Sequence, residues 1–189
     1  MLNKGSSFKM KGWALLIIFL VILLHKPILR ILFVLDYGSQ IAVYSRMNQV
    51  NPAMIGAIIF VESRFNTEAR SHKGALGLMQ IMPQTGVWVA DQLMWKGFSS
   101  RDLLDPDKNL KIGIWYIAYL KRQYKQNDYL ALASYNAGSK YVSKWLETGI
   151  WDGDSVKVDQ IPFQETKRYL IKIMILKKIY HYLYPEYLS

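Results

Sequence analysis

Residues 62–85 read ESRFNTEARSHKGALGLMQIMPQT, a stretch in which an acidic residue ends an apolar run and a loop rich in glycine and polar residues follows. Gly74 and Gly77 permit positive φ angles or close backbone approach, so the chain cannot continue here as one regular element. Pro83 is expected to open the next helix, because proline is favoured in a first helical turn. The stretch therefore predicts a carboxylate, Glu62, at a helix end beside an irregular loop.

The helix that carries Glu62 is predicted to begin at Asn51, which supplies a capping oxygen, and at Pro52, which presets the first-turn dihedral. Burial at the end of an apolar stripe would raise the pKa of Glu62, as a proton donor near neutral pH requires. A glutamate whose head lies in solvent is equally compatible with the helix alone. The stripe is formed by residues at three- and four-residue steps from Glu62: Ile55, Ile58 and Ile59.

Three later segments carry a resemblance to a known family: NLKIGIWYIAYL at 109–120, ALASYNAG at 131–138 and IPFQETKRYL at 161–170. With residues 62–85 they resemble, in order and spacing, the signature of the soluble-lytic-transglycosylase-like (SLT) domain, a goose-lysozyme relative that cleaves peptidoglycan. The resemblance covers roughly residues 36–183. It implies a mainly α, lysozyme-like helical domain with a substrate cleft.

The resemblance also implies roles for individual residues. Glu62 would be the single acid and base, and Ser71 would be its hydrogen-bond partner in the loop. Thr67 stands where many relatives have proline, and we expect this departure to shape the loop rather than the chemistry. On the residues alone, Tyr135 could equally be a buried structural tyrosine. The other matching positions would contact or support the substrate: Gln80, Met82, Tyr135, Asn136 and Glu165.

The activity that the resemblance implies is a lytic transglycosylase without a cofactor, whose partner is the glycan strand of peptidoglycan. It would cleave the bond between N-acetylmuramic acid and N-acetylglucosamine without water and leave 1,6-anhydromuramoyl ends. A lysozyme-type hydrolase would need a second carboxylate, and Glu68, Asp91 and Asp102 have no motif support for that role. An inactive peptidoglycan-binding assembly factor is the other alternative.

Composition sets wider limits. The 189 residues suffice for one domain with a buried core, and the absence of cysteine excludes disulfides and thiolate metal sites. Asp152 and Asp154 lack the spacing of a calcium loop, so no metal site is predicted. A formal charge of +10 favours anionic polymers or membrane surfaces, but no nucleic-acid motif accompanies it. We expect a monomer without a nucleic-acid partner.

Residues 1–35 are predicted to be an N-terminal membrane anchor or an uncleaved signal segment. Lys4, Lys9 and Lys11 precede an apolar run over residues 13–24, and no small-residue cleavage site follows. The run is shorter than the roughly 20 residues of a spanning helix, although snorkelling lysines extend it. We predict a single-pass anchor in the bacterial cell membrane with residues 36–189 outside the cytoplasm; secretion after signal cleavage is the alternative.

Further helices are predicted over residues 36–50 and 85–95, after Asp105, over 128–136 and after Phe163. Several apolar residues on the second of these helices are expected to face inward, among them Val87 and Met94, and Met47 is among the residues that indicate the first. The segment SVKVD at 155–159 is a candidate short strand. Trp151 is either a sugar-stacking surface or a packed anchor. The basic side of the last helix is either solvated or a contact for anionic polymer or lipid: Lys167, Arg168, Lys172, Lys177 and Lys178.

Overall fold

The computed structural model describes residues 4–187, and it divides the chain into a unit that ends at Val34 and one that begins at Leu35. The first unit is a single helix, α1 (Lys4–Leu32), with Pro27 inside it. Among the residues that could be searched, no helix is both long and apolar enough to cross a membrane. The predicted anchor therefore gains no support, and the side chains of residues 1–12 and 14–17 lie outside those described.

The second unit is built from helices, and the prediction of a mainly α fold is confirmed. Short 3-10 helices lie at Ser100–Leu104, Ser155–Gln160 and Pro185–Tyr187, so the strand suggested for SVKVD is wrong. Between residues 4 and 187 there is no strand, and β pairing is limited to two isolated bridges within the loop that follows Glu62. The α-helices are α2 (Gly38–Met47), α3 (Pro52–Glu62), α4 (Pro83–Gln92), α5 (Pro106–Gln123), α6 (Asp128–Ala137), α7 (Ser139–Glu147) and α8 (Gln164–Leu183).

Helix α3 forms the centre of this unit, because it packs against both α8 and α2. Its start is as predicted: Asn51 Oδ1 accepts a hydrogen bond from the Met54 N–H at 3.1 Å, with Pro52 in the first turn. Residues 53–59 are all buried, so α3 is apolar all round and the predicted single stripe is too narrow a description. Glu62, its last residue, is thus delivered from the protein interior.

Two apolar residues predicted to face inward point outward instead. Val87 is 43% exposed and Met94 87%. The physical reason is clearest for Met94, which lies beyond the end of α4 at Gln92 and has a left-handed backbone with φ of 54°. Helix α4 starts at Pro83, as expected for a proline in a first helical turn, but it ends at Gln92 rather than at residue 95.

The loop after Glu62 is held against α5 by Asn109, whose side chain is fully buried. Its Nδ2 donates hydrogen bonds to the carbonyls of Leu76 and Leu103, at 3.0 and 2.8 Å, and its Oδ1 accepts one from the Met79 N–H at 2.8 Å. Gly77 lies against the same side chain, and a Cβ on this glycine would be 2.4 Å from Asn109 Nδ2. The side-chain amide of Asn109 therefore holds the loop at a fixed distance from α5.

Gly113 on α5 marks a close contact with the loop that follows Glu62. A Cβ at this position would lie 2.3 Å from Met79 Sδ. The loop therefore approaches the α5 backbone closely. Trp151 is fully buried and its Nε1 donates to the Asp154 carbonyl at 3.1 Å, so this residue is a packed anchor and not a sugar-stacking surface.

Candidate active site

Glu62 ends α3 and is largely removed from solvent. Burial raises the pKa of its carboxyl group to about 7, because the charged form loses hydration. The nearby Tyr169 hydroxyl opposes this shift, and the negative charge of Glu165 adds to it. A carboxyl group with this pKa is protonated about half the time near neutral pH, so it can both give and take a proton.

Tyr169, on α8, is a site residue that the sequence reasoning did not identify. It is 7% exposed, and no group in the described chain meets hydrogen-bond geometry with its buried hydroxyl. The hydroxyl nevertheless lies close enough to Glu62 to lower the pKa of that carboxyl, and the charge of Glu62 in turn raises the pKa of Tyr169. Its position four residues after Glu165, one helical turn along α8, was the available signal.

Tyr135 lies at the end of α6, where it was predicted to be, and is near Glu62. Its hydroxyl donates a hydrogen bond to the Met79 carbonyl at 2.6 Å, which ties α6 to the loop after Glu62. Burial, with a contribution from the charge of Glu62, raises the pKa of Tyr135 well above its usual range. Tyr135 is therefore a neutral donor beside the carboxyl group at every physiological pH.

Asn136 links α6 to α8. Its Oδ1 accepts a hydrogen bond from the hydroxyl of the buried Thr166 at 2.7 Å. Thr166 follows Glu165, which is exposed in the first turn of α8. The structure thus brings Asn136 and Glu165 to neighbouring positions on two adjacent helices, and Glu165 acts electrostatically on Glu62.

The structure shows no hydrogen bond between Ser71 and Glu62, and their predicted pairing stays a prediction. The exposed Ser71 hydroxyl accepts a hydrogen bond from the Ala75 N–H at 2.9 Å, and its backbone closes the same turn with Ala75 and Gly74. Serine side chains commonly bond to nearby backbone groups in this way. The Ser71 oxygen takes part in the loop's own turn, and Tyr169 is the side-chain hydroxyl that acts on Glu62.

Gln80 and Met82 lie on the loop that α5 supports. The Gln80 side chain donates hydrogen bonds to the carbonyls of Ala69 and Gly77, at 3.1 and 2.8 Å, so its amide nitrogen holds the loop together. Met82 is 41% exposed just before α4. Their predicted contacts to a glycan stay predictions.

The three residues considered above for the role of a second catalytic carboxylate, Glu68, Asp91 and Asp102, do not act on Glu62. Asp102 caps the 3-10 helix at residues 100–104 and pairs with Lys108, which lowers the pKa of Asp102 to about 2. Glu68 and Asp91 are exposed. Among the described residues, Glu165 is the carboxylate that influences Glu62. Over the same residues, no group of three His, Asp or Glu side chains could hold a metal ion.

A helical unit with a desolvated carboxyl at the end of its central helix fits the lysozyme-like class that the sequence indicates. The sequence profile described as "Transglycosylase SLT domain" matches residues 39–155. The chain belongs to this family.

Curated relatives agree with this assignment. The chain is 35% identical over 152 residues to the soluble lytic murein transglycosylase of Escherichia coli K12, covering 79% of this chain and 24% of that protein. It is 29% identical over 161 residues to the membrane-bound lytic murein transglycosylase C of Photorhabdus laumondii, covering 70% of this chain and 43% of the relative. The chain thus spans about a quarter of the length of the first of these relatives.

Solved structures are similar in fold as well as in sequence. The 70 kDa soluble lytic transglycosylase of E. coli matches with a TM-score of 0.76 and 33% identity, over 83% of this chain and 26% of that one. A Pseudomonas aeruginosa lytic transglycosylase Slt, an inactive Glu-to-Gln mutant, matches with a TM-score of 0.75 and 31% identity over 82% and 25%. A complex of the 70 kDa enzyme with bulgecin A matches with a TM-score of 0.74 and 35% identity, over 79% and 25%.

Proposed function

We propose that this chain is a peptidoglycan lytic transglycosylase in which Glu62 is both the acid and the base. The observation that carries the proposal is the desolvated carboxyl of Glu62, whose pKa of about 7 suits proton transfer in both directions. Membership of the SLT family and the names of its relatives support murein as the substrate. One related structure is an inactive Glu-to-Gln mutant, so a single glutamate is essential in that relative.

The reaction proceeds in two proton transfers. Protonated Glu62 gives its proton to the oxygen between N-acetylmuramic acid and N-acetylglucosamine, and the bond from C1 to that oxygen breaks. The Glu62 carboxylate then takes the proton of the muramoyl C6 hydroxyl, whose oxygen bonds to C1 and closes the 1,6-anhydro ring. The carboxyl group is restored and no water is consumed. An attacking group held in the same molecule can lower the barrier by several kcal/mol relative to a free one.

Between the two proton transfers Glu62 is negatively charged in a poorly hydrated position. Neighbouring side chains stabilise the site during this period. The Tyr169 hydroxyl stabilises the carboxylate form, and Tyr135 holds the adjacent loop in place. Asn136 and Glu165 support the cleft from α6 and α8, and the substrate's own N-acetyl group stabilises the cation-like sugar. Two loop residues contact the glycan: Gln80 and Met82.

Tyr169→Phe tests the part given to the tyrosine hydroxyl. Because this hydroxyl lowers the pKa of Glu62, its removal should move the alkaline limb of the pH–rate profile to higher pH. The rate at the optimum should fall roughly tenfold, the usual loss for one hydrogen bond to a charged group. The pH dependence of muropeptide release measures both effects, with Tyr129→Phe as a control on α6. An unshifted alkaline limb would remove Tyr169 from the mechanism.

Glu62→Gln should make the protein more stable at alkaline pH. The pKa of Glu62 is about 7 in the folded state against an ordinary value of 4.5. Between these two pH values the folded chain retains a proton that the unfolded chain has lost, so wild-type stability falls as the pH rises through this window. Above pH 7 the variant should exceed wild type by about 2–3 kcal/mol in unfolding free energy, and below pH 4.5 the two should coincide. Urea denaturation of both proteins at pH 4 and pH 8 checks this. If the unfolding free energies of variant and wild type differed by the same amount at both pH values, Glu62 would not be desolvated.

The reaction type separates the proposal from a hydrolytic muramidase. Mass analysis of peptidoglycan digested by the wild-type protein should find 1,6-anhydromuramoyl ends, whereas a hydrolase would leave reducing muramic acid. Release of neither product by a correctly folded protein would favour an inactive peptidoglycan-binding factor. The same digest with Glu62→Gln shows whether any release depends on that residue.

We further propose that residues 36–189 are the catalytic domain and act on peptidoglycan outside the cytoplasm. Support comes from the relatives, which include both soluble and membrane-bound lytic murein transglycosylases. The single-pass anchor predicted for residues 1–35 has no support from the helix found there. Fractionation of cells that produce the full chain would show whether the protein sediments with membranes.

A further inference from the structure

A groove between α2 and α5 is lined by none of the residues assigned above to the surroundings of Glu62. Its central pocket has a volume of about 330 Å³ and is lined by aromatic side chains from three different parts of the fold. Tyr44 comes from α2, Trp95 from the segment after α4 and Trp115 from α5, and all three are partly exposed. The remaining lining residues are Met47, Asn48, Leu93 and Lys111.

The central pocket continues into a depression on each side. One neighbouring depression shares Trp95 and Lys111 with it, and the other shares Met47 and Asn48. The three together form one elongated surface, which we call the α2–α5 groove. An elongated groove fits a stretch of polymer better than it fits a compact small molecule.

The charges in the α2–α5 groove are largely paired. Lys111 Nζ lies 2.7 Å from Asp107 Oδ2 and 5.2 Å from the centre of the Tyr44 ring, and the Tyr44 hydroxyl donates to Asp107. Lys108, at one end of the groove, pairs with Asp102. The groove therefore offers aromatic surfaces and fixed polar groups, together with the positive charges of Lys96 and of Arg122, whose guanidinium lies 5.8 Å from the centre of the Trp115 ring. Aromatic surfaces with fixed polar groups suit a ligand rich in hydroxyl and amide groups.

A row of aromatic rings leads from the groove toward Glu62. Trp115 stacks with Tyr119 at 5.6 Å between ring centroids, Tyr119 with Tyr116 at 6.5 Å, and Tyr116 contacts Tyr135 at 5.7 Å. Trp88 on α4 packs edge-on against Tyr119 at 4.9 Å. Trp88, Trp115, Tyr116 and Tyr119 are all partly exposed.

We propose that the α2–α5 groove is a second saccharide-binding site, which holds a stretch of N-acetylated glycan strand outside the Glu62 site. The inference rests on the proposed function for its choice of polymer. The aromatic rings of Trp95 and Trp115 pack against sugar rings, while Asn48 and the Lys111–Asp107 pair bond to hydroxyl and N-acetyl groups. The groove increases the affinity for long strands and takes no part in bond cleavage.

Binding to insoluble peptidoglycan tests the groove without any cleavage, when all variants are made in the Glu62→Gln background. Met47→Glu places a charge at a groove residue that is 75% exposed, so folding should not be affected. Trp95→Ala removes one aromatic wall. Each should weaken co-sedimentation with purified sacculi roughly tenfold, as loss of a central aromatic or a blocked contact does. Val43→Glu is the matched control, because Val43 is 45% exposed on α2 and does not line the groove.

The expected control result is a change of less than about twofold for Val43→Glu, typical of a surface substitution. Soluble N-acetylglucosamine oligomers should displace the parent protein from sacculi, and inorganic phosphate at the same concentration should not. Equal binding by Met47→Glu and Val43→Glu would overturn the proposal, as would displacement by phosphate alone. If Trp95→Ala fails to give a cooperative thermal transition, Met47→Glu decides the question.

The two proposals fail in different ways. Without the Glu62 substitution, Met47→Glu should still release anhydro products from short soluble glycan fragments at the wild-type rate. If wild type yields no anhydro ends while Met47→Glu still weakens binding to sacculi, the saccharide-binding groove is supported and the proposed reaction is refuted. If anhydro ends form and the groove variants bind sacculi as the parent does, the reaction is supported and the binding groove is refuted.

Discussion

Glu62→Gln is expected to reduce the release of muropeptides roughly a thousandfold, in the middle of the range for loss of a general acid or base. Glutamine preserves the shape of the side chain but can neither give nor take the proton. Because Glu62 serves both transfers in the proposed reaction, no other group takes over either one. Release from purified sacculi, followed by chromatography of the soluble products, measures the effect. Residual activity within tenfold of wild type would place the essential acid elsewhere.

Glu165→Gln is the matched control, because Glu165 is the carboxylate that acts on Glu62 among the described residues. It is exposed in the first turn of α8, and its charge raises the pKa of Glu62. Its removal should therefore cost only a few-fold in rate and move the alkaline limb of the pH–rate profile slightly down. A loss as large as that of Glu62→Gln would indicate two essential carboxylates, as in a hydrolase.

Asn109→Ala is expected to have the largest effect on stability. The change breaks three buried hydrogen bonds and leaves the carbonyls of Leu76 and Leu103 and the N–H of Met79 without partners. Each buried group left unsatisfied costs about 1–3 kcal/mol, so a total loss of roughly 3–5 kcal/mol in unfolding free energy is expected. That corresponds to a decrease in Tm of about 10 °C for a chain of this size.

The control for Asn109→Ala is Asn66→Ala, which makes the same chemical change at an exposed position. Asn66 accepts one local hydrogen bond, from the Glu68 N–H, so its loss should cost about 1 kcal/mol or less. Denaturant titration of both variants gives the comparison. Equal stabilities would show that the loop after Glu62 does not depend on its attachment to α5.

The helix that carries Glu62 could be predicted because its signals are local. Asn51 and Pro52 define its start within one turn, and the capping bond from Met54 confirms that assignment. Burial of Glu62 was compatible with the sequence but not required by it, because the depth of a helix depends on what packs around it. The structure resolves this point through α8 and α2, which enclose α3.

The contacts between distant segments could not be predicted from periodicity. Asn109 bonds to Leu76 across 33 positions, and Tyr169 reaches Glu62 only because α8 packs along α3. Ser71 and Glu62 are not hydrogen-bonded in the structure, where the Ser71 oxygen accepts the N–H of Ala75, four residues along the same loop. Sequence motifs identified which segments meet, while the pairing of atoms depended on the fold.

The most direct test of a single carboxyl group acting with an internal nucleophile is to determine where the oxygen newly bonded to C1 comes from. Peptidoglycan is digested briefly by the wild-type protein in water enriched in heavy oxygen, and the muramic acid ends are analysed by mass spectrometry. We predict anhydromuramoyl ends that carry no heavy oxygen, because the C6 hydroxyl supplies the attacking atom. Reducing muramic acid ends labelled at C1 would show that water attacks, and would contradict the account.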